Sequence, residues 1–198
     1  MKTMSKSKRQ TSVRRLRPFS GGVTVAYIGN GKGKTTAAVG AAVRARGYGW
    51  RVLFLQFYKS ANWPSGERES LKSLGVDVRV SGEGFVGILG DRKERKVHRK
   101  AAVRALGKAK QAILSGRYRL VILDEVISCL EQKLFSQADL LRVLSARARS
   151  RKGSGVHLVL TGHEAYPRIL ARCDVVTRMT MVKHPYYKGF LAIRGIDY

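Results

Sequence analysis

Acidic residues are scarce in this chain: 13 Asp and Glu stand against 39 Lys and Arg in 198 residues, a formal net charge of +26. A field of that sign draws in polyanions, whether nucleotides, nucleic acid or membrane surfaces, and it speeds their arrival more than it selects among them. Cysteine is nearly absent. Cys129 and Cys173 lie far apart, with no CxxC spacing and no Cys/His pairing. That argues against a disulfide framework or a zinc site and fits two reduced thiols of a cytoplasmic protein. The histidines (His98, His157, His163 and His184) show no metal-ligand spacing. No apolar run reaches the roughly 18 residues of a membrane-spanning helix. The basic first residues are not followed by an apolar h-region, so the expectation is neither membrane insertion nor secretion. No internal repeat is visible.

What is present is ordinary globular material. Hydrophobic residues make up 44% of the chain, too many for a disordered protein and enough for one domain with a buried core. Residues 1–20 carry Lys2, Lys6, Lys8, Arg9, Arg14, Arg15 and Arg17 with little apolar content. They read as a basic mobile tail, with a single domain over 21–198. Short β-branched runs predict strands over Val23–Ile28, Val52–Phe57, Val76–Val80, Leu120–Leu123, Val156–Leu160 and Val175–Met179. Helical composition falls between them, over Thr35–Arg46, Glu67–Leu74, Asp91–Leu114, Ser136–Arg149 (with Ser136 as N-cap) and Ala165–Ala171. Strands alternating with helices predict an α/β fold, a mostly parallel sheet with helices on both faces.

Gly29-Asn30-Gly31-Lys32-Gly33-Lys34-Thr35-Thr36 sits between a predicted strand and a predicted helix, the setting a phosphate-binding loop requires. Glycines let backbone N–H groups turn toward an anion, and the following helix adds the positive end of its dipole. Lys34 is placed to neutralise phosphate oxygens and the Thr35 hydroxyl to complete Mg²⁺ coordination. The usual pattern G-x-x-x-x-G-K-S/T has glycine where this chain has Ile28, so the loop is a variant. Asp124 and Glu125 follow the apolar run Leu120–Leu123, the position of a carboxylate that holds Mg²⁺ directly or through water.

Beyond the loop, Gln56–Lys59 (QFYK), Trp63–Arg68 (W-P-x-G-E-R), Gly82–Phe85 (G-x-G-F), Leu123–Glu125 (LDE), Thr161–Gly162, Val182–Pro185 (VKHP) and the ending GIDY occur in order. With GNGKGKTTAA they resemble corrinoid adenosyltransferases of the CobA/BtuR type, over about Val23 to Tyr198. The resemblance implies a RecA-like P-loop fold, usually a homodimer. It also implies transfer of the 5′-deoxyadenosyl group of ATP to the Co(I) of a reduced corrinoid, with release of triphosphate, in adenosylcobalamin biosynthesis or salvage. In the family, ATP is described as lying reversed in the loop, which suits the variant pattern. A reductase, flavin-dependent in this reading, would supply the electron.

By resemblance Arg44 is a further nucleotide contact, Trp63 and Glu67 belong to a wall of the corrinoid site, and Phe85 stands near the corrinoid and helps remove cobalt's lower axial ligand. Lys34, Phe85 and Glu125 are the expected catalytic residues, and Thr35, Asp124 and Glu125 the metal set. The chain departs from the family at Gly87, where a tryptophan is frequent, at His163, where arginine is common, and at Arg178, where an acid is usual. Co(I) is itself the nucleophile, so no serine, cysteine or general base is needed; the protein must position C5′ and stabilise the leaving polyphosphate.

The basic runs Arg92–Lys110 and Arg142–Lys152 sustain a rival, a P-loop ATPase that binds nucleic acid. Against it, aromatics are not interleaved with those runs as a stacking platform needs. A kinase acting on a small metabolite is a third reading, distinguished by releasing ADP rather than triphosphate.

Overall fold

A computed structural model of the chain describes residues 17, 19–87 and 90–198. Most of the basic segment read as a tail over 1–20 lies outside the described residues. The sheet has six strands, all parallel, in the order β3-β2-β4-β5-β1-β6. In chain order these are β1 Thr24–Ile28, β2 Val52–Gln56, β3 Asp77–Val80, β4 Leu120–Asp124, β5 His157–Thr161 and β6 Val175–Arg178. The central strands β2 and β4 are buried along their whole length, as continuous apolar runs between two helical layers must be. The edge strand β6 is exposed.

Helices α1 (Lys34–Gly47) and α2 (Gly66–Ser73) cover one face. On α1, Ala38, Ala42 and Ala45 recur at helical spacing and are buried, and their small side chains let the helix lie close against Phe54 and Ile122. Helices α3 (Arg95–Leu114), α4 (Val126–Glu131), α5 (Gln137–Arg149) and α6 (Pro167–Leu170) cover the other, around Leu55, Ile113, Leu123, Leu140 and Leu158. A short 3₁₀ helix, Pro185–Lys188, lies in the C-terminal segment.

Ser136 caps α5 as expected and forms a capping box with Asp139. The helix read over Ala165–Ala171 is shorter, Pro167–Leu170, the 3₁₀ helix was not expected, and two further elements differ more. Helix α3 begins at Arg95 rather than Asp91, because the Asp91 carboxylate accepts the backbone N–H groups of Gly87 and Lys93 and holds its segment in a turn. Helix α4 was not expected; it follows the Glu125 turn at once and its apolar residues are wholly buried. Cys129 and Cys173 are both free thiols, and burial pushes the Cys129 thiol up.

Parallel register brings the carboxyl ends of β1, β2, β4 and β5 to one edge of the sheet. Gln56 lies opposite Asp124, and Tyr27 opposite Thr161. Ligands of open parallel sheets bind at that edge.

Candidate functional site

The loop between β1 and α1 is shaped by what lies over it. Gly29 has φ 106°, a left-handed conformation that favours glycine, and a Cβ there would collide with the Met179 carbonyl oxygen. The Gly29 N–H donates to the His163 carbonyl at 2.8 Å and the Gly31 N–H to the Met179 carbonyl at 2.8 Å. Ile28 is buried in the core as the last residue of β1, so the loop opens one residue later than the usual pattern. The first-turn amides of α1 have no intrahelical acceptor and point into the space beside the loop.

Lys34 lies within this loop, 6% exposed. Its Nζ donates to the carbonyls of Gly29 and Gly31 at 2.8 Å each. Burial lowers its pKa, and Glu125, Asp124 and Glu131 oppose that shift. Lys32 pairs with Asp197 of the C-terminal segment.

The acidic pair divides into two roles. Asp124 is buried, and its Oδ1 accepts hydrogen bonds from the hydroxyls of Thr35 (3.0 Å) and Thr161 (2.9 Å). Burial, then the neighbouring Glu125, raises its pKa. Glu125 turns through φ 61°, its N–H donates to Thr161 Oγ1 at 2.7 Å, and its carboxylate accepts the Ser128 hydroxyl. Thr161, whose sequence context gave only a family match, is the link that sets both carboxylates. Among the described residues no group of three or more His, Cys, Asp or Glu is placed to hold a metal by itself. Two adjacent carboxylates and a threonine hydroxyl beside a phosphate loop nevertheless fit Mg²⁺, which takes one or two carboxylates and completes its shell with water and substrate phosphates.

Opposite the loop, Gln56 at the end of β2 donates to Glu67 Oε1 at 3.1 Å, and Lys59 pairs with the same oxygen at 2.8 Å. Burial would raise the Glu67 pKa, but Lys59 holds it below the usual range. Arg68, 7% exposed, donates to Gln56 Oε1 (2.7 Å) and to the carbonyls of Ser60 (2.9 Å), Ala61 (2.9 Å) and Trp63 (3.0 Å). One guanidinium thus clips the whole loop after β2. Sequence reasoning placed Arg68 only inside a motif; an arginine in a loop-to-helix turn carries no burial signal of its own. The clip sets Trp63 edge-on to Phe85, with ring centroids 4.9 Å apart, and Tyr58 meets Phe85 from another side at 5.4 Å. Burial pushes the Tyr58 phenol up to about 12, so it stays neutral.

These parts enclose a cavity of about 800 Å³. Lys32, Gly33, Lys34, Thr35 and Thr36 form one side, Glu67 and Phe85 another, and Glu125, Ser128 and His163 a third. Gly195–Tyr198 close the remaining side. Of the expected site residues, Asp124 sits just behind the wall and Trp63 supports it through Phe85. Gly29, Asn30 and Gly31 form the loop beneath, where the Asn30 side chain accepts the Met181 N–H at 3.3 Å. Arg44 is not brought in. It is exposed, about 15 Å further along α1 by helical rise, and borders a separate groove with Tyr48, Trp50 and His157. At two of the departures the structure gives a reason or a place: Gly87 has φ 69°, which favours glycine over tryptophan, and His163 lies 3.7 Å from Glu131 at the cavity. Nothing in the structure explains Arg178.

An all-parallel α/β sheet with a glycine-rich loop, a buried lysine and a threonine–carboxylate pair at its carboxyl edge defines a P-loop nucleotide-binding protein. Comparison narrows the class. The family model of ATP:corrinoid adenosyltransferases of the BtuR/CobO/CobP type matches residues 20–198. The corrinoid adenosyltransferase of Escherichia coli K12 is 33% identical over 177 residues, covering 89% of this chain and 86% of that protein. The CobA enzyme of Salmonella typhimurium is 32% identical with the same coverage, and the Pseudomonas aeruginosa corrinoid adenosyltransferase is 32% identical over 179 residues, 89% of this chain and 84% of that protein. Among solved structures, that of the RadB recombinase aligns with a TM-score of 0.49 at 17% identity, covering 84% of this chain and 78% of that one. The chain belongs to the ATP:corrinoid adenosyltransferase family.

Proposed function

We propose that this protein transfers the 5′-deoxyadenosyl group of ATP to the Co(I) centre of a reduced corrinoid, in adenosylcobalamin biosynthesis or salvage. The cobalt electron pair attacks C5′, the C5′–O5′ bond breaks, and the electron pair of that bond leaves with triphosphate. The observation that carries the reading is one cavity in which a cationic phosphate loop faces an aromatic wall. Lys34, the first-turn amides of α1 and Lys32 supply positive charge where the leaving triphosphate develops its own, and such preorganised charge is worth several kcal/mol in a water-poor site. Bound between the Thr35 hydroxyl and the carboxylates of Asp124 and Glu125, Mg²⁺ would add charge neutralisation of the polyphosphate. Phe85, backed by Tyr58 and Trp63, gives the acceptor a flat apolar face, and in this reading it helps remove the lower axial ligand.

A homodimer, a flavin-dependent reductase as electron donor and a cytoplasmic location complete the proposal. The last is supported by the free thiols, and among the described residues no helix is long and apolar enough to cross a membrane. The test is the phosphorus product. With MgATP and a reduced corrinoid, ³¹P NMR should show triphosphate; ADP with free phosphate would instead fit the nucleic-acid ATPase, and ADP with a phosphorylated acceptor the kinase.

A further inference from the structure

Helix α3 has a histidine in its first turn that the reaction does not use. His98 is 3% exposed, and its Nε2 lies 2.9 Å from Asp91 Oδ2, whose side chain is 9% exposed. The approach is off the line of a good hydrogen bond, so the contact is one of close polar packing. The same Asp91 oxygen accepts the Gly87 N–H at 3.0 Å, and Oδ1 accepts the Lys93 N–H at 3.2 Å. Those backbone bonds, Gly87 foremost, hold the Asp91 carboxyl below its ordinary pKa, and the N-terminal end of α3 favours the same charge. Gly87 is two residues beyond Phe85. On the other side of Phe85, the Gly84 N–H donates to the Tyr58 carbonyl at 3.1 Å, and Lys93 Nζ donates to the Glu83 carbonyl at 2.8 Å.

We propose that Asp91 and His98 are positioning residues: a buried histidine and the half-buried carboxylate beside it, which anchor the Phe85 segment to α3 and so set the ring that faces the corrinoid. The inference rests on the reading of the Phe85 wall as the acceptor side of the cavity. Its physical content is that a flexible glycine turn, needed for φ 69° at Gly87, gives no stiffness of its own. The stiffness comes from a carboxylate held by two backbone hydrogen bonds and packed against the buried His98. A histidine in a basic helical stretch carries no such meaning until the turn brings Asp91 back onto it.

The experiment uses the full chain carrying Trp50→Phe, which leaves Trp63 as the reporter, since the chain has two tryptophans and Trp63 lies 4.9 Å from Phe85. His98→Leu keeps the volume and removes the polar contact; His98→Gln restores a donor. For His98→Leu we expect kcat/KM for cob(I)alamin to fall about tenfold and KM for ATP to stay within about twofold, as a small misplacement of a reactant-facing group predicts. Trp63 emission should become more accessible to acrylamide, and His98→Gln should recover most of both signals. If His98→Leu leaves Trp63 quenching and corrinoid kinetics unchanged, or raises both KM values together, the inference is overturned. Should His98→Leu fail to fold, Asp91→Ser is read by the same signals and the same outcomes decide. Phe85→Ala separates the two levels. If it spares corrinoid use, the reading of the wall fails, whereas an effect of Phe85→Ala with none of His98→Leu sinks the anchor alone.

Discussion

Replacing Arg68 by alanine should loosen the aromatic wall of Trp63 and Phe85 without touching the phosphate loop. The guanidinium makes four hydrogen bonds at 2.7–3.0 Å, three to the loop carbonyls of Ser60, Ala61 and Trp63 and one to the buried Gln56. Charged hydrogen bonds contribute about 1.5–3 kcal/mol each in isolation. They share one side chain and are not additive, and the carbonyls of Ser60 and Ala61 regain water once the arginine is gone, so a total of about 3–4 kcal/mol is the better figure. For a chain of this size about 2–4 °C of melting temperature accompanies each kcal/mol, which gives a loss near 10 °C. Lysine cannot reproduce the planar fork, so Arg68→Lys should recover less than half of it. Thermal unfolding followed by circular dichroism gives the first readout. Steady-state kinetics gives the second: KM for the corrinoid should rise several-fold as Trp63 releases Phe85, with KM for ATP unchanged. A melting temperature within about 2 °C of the parent, together with unaltered corrinoid kinetics, would refute the clip.

Lys34→Ala should lower kcat/KM by about 10³ or more, since in the proposed reaction this buried cation would stabilise the leaving polyphosphate, and an assay of triphosphate release reads it directly. Thr161→Val keeps shape but strips an acceptor from the Glu125 N–H and a donor from Asp124; unfolding in urea should show a loss of about 2 kcal/mol, with Mg²⁺ dependence weakened in the activity assay. His157 accepts the Val23 N–H on Nδ1 at 3.1 Å and stacks on Trp50. Burial, then Arg119 and Arg147, lowers its pKa below 6.5. Between the folded and unfolded values the unfolded chain binds more protons, so the stability His157 contributes above about 6.5 is lost as pH falls through the lowered value. Melting curves from pH 7.5 to 5 should show that slope, and His157→Phe should flatten it; an unchanged slope would remove His157 as its source.

The strands and the loop were legible because their signals are local: apolar runs of sheet length, and glycines joined to Lys34 and Thr35 between a strand and a helix. The C-terminal GIDY was visible as a motif but not as a wall of the cavity, because the pairing of Asp197 with Lys32 spans most of the chain. Arg68 and His98 were illegible for a related reason. Their neighbours on the chain are polar and basic, and only the folded turns around them make them buried. The start of α3 was misplaced for want of one contact, since nothing in the sequence says that Asp91 spends its carboxylate on a turn. Helix α4 is too short for periodicity to reveal.

The central claim is tested most directly by mixing the purified protein anaerobically with MgATP and chemically reduced cob(I)alamin and following the visible spectrum. The account predicts protein-dependent conversion to a light-sensitive adenosylcobalamin spectrum, one triphosphate released for each cobalt alkylated. Persistence of the Co(I) spectrum across several corrinoid acceptors, while ATP is turned to ADP, would contradict it.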